Sequence, residues 1–160
     1  MLTPGGNVVD VRVERMARVL VDYCTQMKEK DKVLIQGTVL AVPLVEEIYK
    51  ETLRKGAYPE VYLLTENMQD IFFAHAQDHQ LKYESPFLKY YVEYVDVFII
   101  VMGESNPRHL TNVDPKKIAR RSEAQQILNS TMGKRAQEGT LHWTLTVYPT
   151  HALAQEASMS

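Results

Sequence analysis

The chain has little of several things, and each shortage excludes something. Its only cysteine is Cys24, so no disulfide can form within it, and the expected setting is the reducing cytoplasm. No apolar run approaches the roughly 20 residues that a membrane-spanning helix needs. A formal net charge of −2 gives no excess of either sign to draw the chain to nucleic acid or an anionic membrane. The first residues, Met1-Leu2-Thr3-Pro4-Gly5-Gly6-Asn7, lack a basic segment followed by an apolar one, so they read as a loose arm over residues 1–9 and not as a signal peptide.

What is present is ordinary for a globular domain: 160 residues, 45% hydrophobic and 24% charged, enough for one well-formed core. Val13, Met16, Ala17, Leu20, Cys24 and Met27 recur at three- and four-residue steps, predicting a helix over about residues 10 to 28. Val33-Leu34-Ile35-Gln36-Gly37 reads as a strand buried on both faces. A second helix starts near Pro43, turns Val42, Val45, Ile48, Tyr49 and Leu53 inward, and stops at Gly56. Val61-Tyr62-Leu63-Leu64 is the next strand. Asn67 caps a third helix with Met68, Ile71, Phe72 and His75 on one side, and Ser85-Pro86 opens a fourth that runs to Tyr94.

Val97-Phe98-Ile99-Ile100-Val101-Met102 is the most hydrophobic run and predicts a central strand. Asn106-Pro107 starts a helical turn. Asp114-Pro115 starts a long basic helix whose end Gly133 and Gly139 bracket, and Leu141 to Val147 is the last strand. Apolar strands alternating with amphipathic helices predict an α/β fold of three layers, a mostly parallel sheet of about four strands flanked by helices. The predicted domain covers residues 10–150, and residues 151–160 read as the start of a linker to a further domain.

Candidate sites are few. Gly37 closes a strand just before a helix, where phosphates bind in some α/β folds. Yet Gly37-Thr38-Val39-Leu40-Ala41-Val42 has a single glycine and neither dinucleotide nor P-loop spacing, so a plain turn is the expectation. His75 and His79 are four residues apart and would share a helix face, but Ala76-Gln77-Asp78 between them lacks a zinc peptidase's glutamate. Glu46-Glu47 reads as surface charge. Cys24 reads as an inert buried thiol. Lys116, Lys117, Arg120 and Arg121 read as a solvated basic face, one that could meet acidic groups on a neighbouring domain. Tyr148-Pro149-Thr150 leaves the last strand at the ligand-binding edge of such sheets and reads as a structural hinge into a short helix. No residue stands out as catalytic, metal-binding or substrate-binding. The fold alone allows one alternative, a free-standing α/β module that takes a small anionic ligand at the carboxyl edge of its sheet.

Taken together and in order, these segments resemble the thermophilic metallo-aminopeptidases, the aminopeptidase T and aminopeptidase S family. The resemblance lies in Arg15-Met16-Ala17-Arg18-Val19-Leu20-Val21, Lys32-Val33-Leu34-Ile35, Pro43-Leu44-Val45 and Lys55-Gly56-Ala57. It continues through Asp96-Val97-Phe98-Ile99-Ile100, Asn106-Pro107 and Val113-Asp114-Pro115-Lys116-Lys117-Ile118-Ala119. It ends in Trp143, Tyr148-Pro149-Thr150, Ala154-Gln155-Glu156-Ala157 and Met159-Ser160, with Ser158 standing where the family usually has glycine.

The resemblance implies a parent enzyme, a hydrolase of leucyl aminopeptidase type. It would remove N-terminal amino acids from peptides with two divalent metal ions such as zinc or cobalt. It also implies a homodimer, and metal ligands in a C-terminal catalytic domain of the same polypeptide. His75, His79, His109, His142 and His151 do not match those ligands. The expected part for these 160 residues is a non-catalytic N-terminal domain, serving as scaffold, dimer contact or cavity wall.

Overall fold

The strands of the computed structural model are β1 (Lys32–Thr38), β2 (Tyr58–Leu64), β3 (Val97–Met102) and β4 (His142–Val147). They form one sheet in the order β2-β1-β3-β4, and every neighbouring pair is parallel. The structure describes residues 10–65, 67–103 and 113–149. The predicted arm, the turn at Asn106-Pro107 and everything from Thr150 onward lie outside them.

The helices are α1 (Val11–Arg18), α2 (Val42–Arg54), α3 (Asn67–His75), α4 (Asp78–Leu81), α5 (Pro86–Tyr94) and α6 (Pro115–Gln137). Val33 and Ile35 of β1, with Val97, Ile99 and Val101 of β3, meet Ala17, Leu20, Leu44, Val45 and Ile48 from the α1 and α2 side. Leu34 and Phe98 face the opposite way, towards Val95, Leu141, Tyr91 and Met132 on the α5 and α6 side. This is the three-layer α/β arrangement that the alternation predicts. The step from β1 to β2 runs one way across the sheet with α2 on the Ile35 face. The steps to β3 and β4 run the other way, with α5 and α6 on the Phe98 face. That pairing of direction and face is what a uniform crossover handedness requires.

Several local expectations are corrected. The first helix is regular only to Arg18, and Val19–Cys24 forms a wider π-turn that ends the helix before residue 28. There Thr25 donates its N–H to Leu20 O at 3.1 Å, five residues back. One extra residue in a turn rotates the next side chains about the helix axis by roughly 100°. Cys24 is therefore exposed, not buried, and Thr25 takes the interior place. The Thr25 hydroxyl is satisfied there by Leu20 O and Val21 O, at 3.0 and 3.2 Å.

On α2 the buried stripe is Leu44, Val45, Glu47, Ile48 and Thr52, while Tyr49 and Leu53 are exposed. Two polar residues can occupy that stripe because each has a partner: Thr52 Oγ1 donates to Ile48 O at 2.8 Å, and Glu47 pairs with Lys50. On α3 the buried residue is Phe73, and Met68 and Ile71 are exposed. Gly133 does not stop α6, which runs past it to Gln137; the stop is Gly139, whose φ of 69° is the left-handed turn that glycine adopts without strain.

Candidate functional site

Open α/β sheets bind ligands where the strand order reverses, at the carboxyl ends of the two strands involved. Here those are β1 and β3, and two hydrogen bonds join the chain at their carboxyl ends. Thr38 Oγ1 donates to Gly103 O at 2.6 Å and accepts the Gly103 N–H at 3.0 Å, so hydroxyl and peptide satisfy each other. Gly37 is explained by packing. A Cβ built there would lie 2.6 Å from Cγ2 of Val45, so only a glycine lets α2 sit this close to β1. The glycine at the phosphate-turn position is therefore a contact point between a helix and a strand. On β4, Tyr148 continues the pairing by donating its N–H to Met102 O at 2.6 Å, and its ring packs against the core.

The opposite, amino edge of the sheet holds a polar cavity of about 310 Å³, lined by Lys28, Asp31, Asp96, Arg135, Thr140 and His142 among others. The residues just before β1, β3 and β4 place these groups together. Asp96 accepts the backbone N–H of Lys32 at 2.9 Å and its ammonium at 2.8 Å. Burial alone would raise the Asp96 pKa, but the hydrogen bonds and charge of Lys32 outweigh it and hold the carboxyl below its usual range. Arg135, near the end of α6, donates to Val92 O and Val95 O, both at 2.8 Å, and to Thr140 O at 2.6 Å. Asp31 accepts the Lys28 N–H at 2.7 Å. These ionic groups are engaged in holding the chain together, so the cavity acts as a clasp between strand starts and helix ends. Neither Asp96 nor Arg135 stands out in the sequence, because their partners are mostly backbone groups that leave no motif.

The clasp has a pH signature. A carboxylate whose folded pKa lies below its unfolded value of about 3.9 stabilises the fold fully above that value. The contribution is lost as pH falls through the folded pKa. Asp96→Asn is therefore expected to lower stability by roughly 1 kcal/mol at pH 7. The gap from the unaltered chain should begin to narrow at about pH 4 and close only as pH falls through the lower folded pKa. Urea unfolding at pH 7 and at a series of values below about pH 4 measures it, and a gap that stays constant throughout would remove the charge-based account.

His75 ends α3 and His79 lies in α4, so a break at Ala76-Gln77 separates them and they do not share a helix face. Among the described residues, no three His, Cys, Asp or Glu side chains converge in a way that could hold a metal ion. The described residues therefore do not fit a metal centre. Glu46 is exposed as expected, whereas Glu47 is buried. Of the basic residues predicted as a solvated face, Lys116 is exposed, but the other three are engaged within the chain. Lys117 Nζ donates to Phe73 O at 2.6 Å, Arg120 pairs with Asp78, and Arg121 donates to Tyr83 O at 2.7 Å and lies over the Phe72 ring. They fasten the α3–α4 region to α6 from within the chain.

The sequence pattern of one family, thermophilic metalloprotease (M29), matches residues 9–160. The chain belongs to that family. The fold is also seen in the solved structures: wild-type AmpT from Thermus thermophilus is similar with a TM-score of 0.73 at 17% identity, over 89% of this chain and 37% of that one. This M29 chain thus spans well under half the length of that relative. An alcohol dehydrogenase superfamily protein from Novosphingobium aromaticivorans matches with a TM-score of 0.38 at 14% identity, over 88% of this chain and 53% of that one, too loosely for comparison. No curated protein matches the chain in sequence.

Proposed function

We propose that these residues are the N-terminal, non-catalytic α/β domain of a cytoplasmic metal-dependent aminopeptidase. The observation that carries the reading is the family match across residues 9–160. In this reading the two divalent metal ions and the residues that bind the peptide's N-terminus belong to the remainder of a longer polypeptide. The sheet and its clasped edges supply a rigid wall, as scaffold, dimer contact or part of the substrate cavity. A co-catalytic metal peptidase needs converging carboxylate and imidazole ligands around an activated water. Such a set must come from outside the described residues.

The test is direct. Purified 160-residue chain, supplied with zinc or cobalt, is expected to release no chromophore from a leucine anilide above the metal-only blank. Turnover that requires metal and scales with the concentration of the chain would overturn the assignment.

A further inference from the structure

Among the described residues strand β4 ends the sheet on one side, yet it is built like a strand with neighbours on both sides. His142 and Tyr148 donate their N–H groups to Asp96 O and Met102 O of the β3 side, at 2.9 and 2.6 Å. Successive peptides alternate direction along a strand, so the N–H groups of Trp143, Leu145 and Val147 point to the outer edge. Natural edges are guarded against further pairing by proline, charge or bulges.

The other edge strand is guarded in this way. Tyr58 donates to Asp31 O on the β1 side, so Pro59 falls on the outward phase of β2, where its missing N–H removes a donor, and Glu60 follows it. His142-Trp143-Thr144-Leu145-Thr146-Val147 contains no proline, aspartate, glutamate, lysine or arginine.

The side chains point the same way. Trp143, Leu145 and Val147 stand in register with Phe98, Ile100 and Met102 of β3, on the face covered by α5 and α6. Cover runs out across that face. Phe98 is 6% exposed and Met102 37%, while Trp143, Leu145 and Val147 are each 48% exposed. The result is a contiguous uncharged patch on a sheet face whose other end is core. Crossover handedness says what belongs on it. The step from β3 to β4 places its helix on the Phe98 face, so a further step in the same direction places the next crossover on that face too.

We infer that β4 is an interior strand of the full-length protein. Polypeptide following residue 160 crosses over Trp143, Leu145 and Val147 and adds a fifth parallel strand along their outward N–H groups. The occupant is a segment of the same polypeptide. The similar AmpT structure is longer than the part matched, this chain covering 37% of it, so such proteins carry further chain to supply the strand. A second copy fits less well. Two β4 edges meeting about a two-fold axis would pair antiparallel and extend the sheet, leaving the apolar face still in water. The assignment is independent of peptidase activity, because it concerns only how the sheet is completed.

Amide hydrogen exchange tests it, comparing the 160-residue chain with the full-length chain translated through the codons after Ser160. In the short chain the amides of Trp143, Leu145 and Val147 should exchange much faster than those of Thr144, Thr146 and Tyr148. In the full-length chain the outer three should slow by at least about 100-fold. Leu145→Glu should leave the short chain folded, since that side chain is half exposed, and should speed exchange of the outer amides in the full-length chain at least about 10-fold. Unchanged outer amides in the full-length chain would overturn the inference, as would a reading frame that closes at Ser160. Protection in the short chain that rises with its concentration would also overturn it, by showing a second copy in that place.

Discussion

Arg135→Ala is expected to lower the unfolding free energy by about 3 kcal/mol, with the melting temperature falling by roughly 10 °C. The guanidinium reaches three backbone carbonyls, those of Val92, Val95 and Thr140, and its Nε donates to Thr140 Oγ1 at 3.3 Å. Those carbonyls belong to the end of α5 and to the turn between α6 and β4. One side chain therefore joins two helix ends to the start of an edge strand. Alanine leaves the half-buried carbonyls short of a donor, which is more damaging than losing a pair of exposed partners.

Arg135→Lys should recover less than half of the loss, because a single ammonium cannot copy a planar fork aimed at several acceptors. Urea titration of the three chains, with helix content followed by circular dichroism, measures both numbers. If lysine restored full stability, charge alone would explain the residue and the fork geometry would not matter.

Gly37→Ala is expected to cost about 2 kcal/mol although it adds one methyl group. The backbone there is not in the left-handed region, so alanine meets no conformational penalty. The penalty is steric, since the new Cβ would lie 2.6 Å from Val45 Cγ2, and Val45 is buried on a helix held by the rest of the core. A β-branched side chain has few rotamers to move into.

The double variant Gly37→Ala, Val45→Ala is the decisive member of the series. Removing the opposing methyl makes room for the new one, so the combined cost should fall short of the summed single costs by about 1 kcal/mol or more. Strict additivity would show that the clash is relieved elsewhere and that the packing account of this glycine is wrong.

How much of the fold is legible in the sequence depends on the kind of force involved. The two central strands, β1 and β3, can be read directly because a strand buried on both faces must be continuously apolar. For β2 the apolar pattern begins only at Val61, whereas the strand starts at Tyr58. Its first residues include Pro59 and Glu60, acceptable on an edge but discouraging in a pattern search. On α2 hydrophobicity favours Tyr49 and Leu53 for the inner face, yet Thr52 and Glu47 are the ones buried. Hydrogen bonds and an ion pair, which periodicity cannot see, allow the polar pair to be interior.

The break in the first helix is hidden for a related reason. A π-turn changes the period without any marker residue, so the extrapolated face carries Cys24 inward when the chain carries Thr25 there instead. The family resemblance is legible because it rests on order and spacing of short segments along most of the chain. The clasp residues Asp96 and Arg135 are not, since their partners become neighbours only once the strands align.

The wide turn that expels Cys24 also makes the molecule easy to instrument. Cys24 is the sole thiol and Trp143 the sole indole of the chain, and both are accessible. A thiol-linked acceptor at Cys24 sits on the helical layer over the Ile35 face, while the indole donor lies on the far side of the sheet. Energy transfer between them would gauge the thickness of the folded layers in a chain of native sequence, with no engineered residue at all.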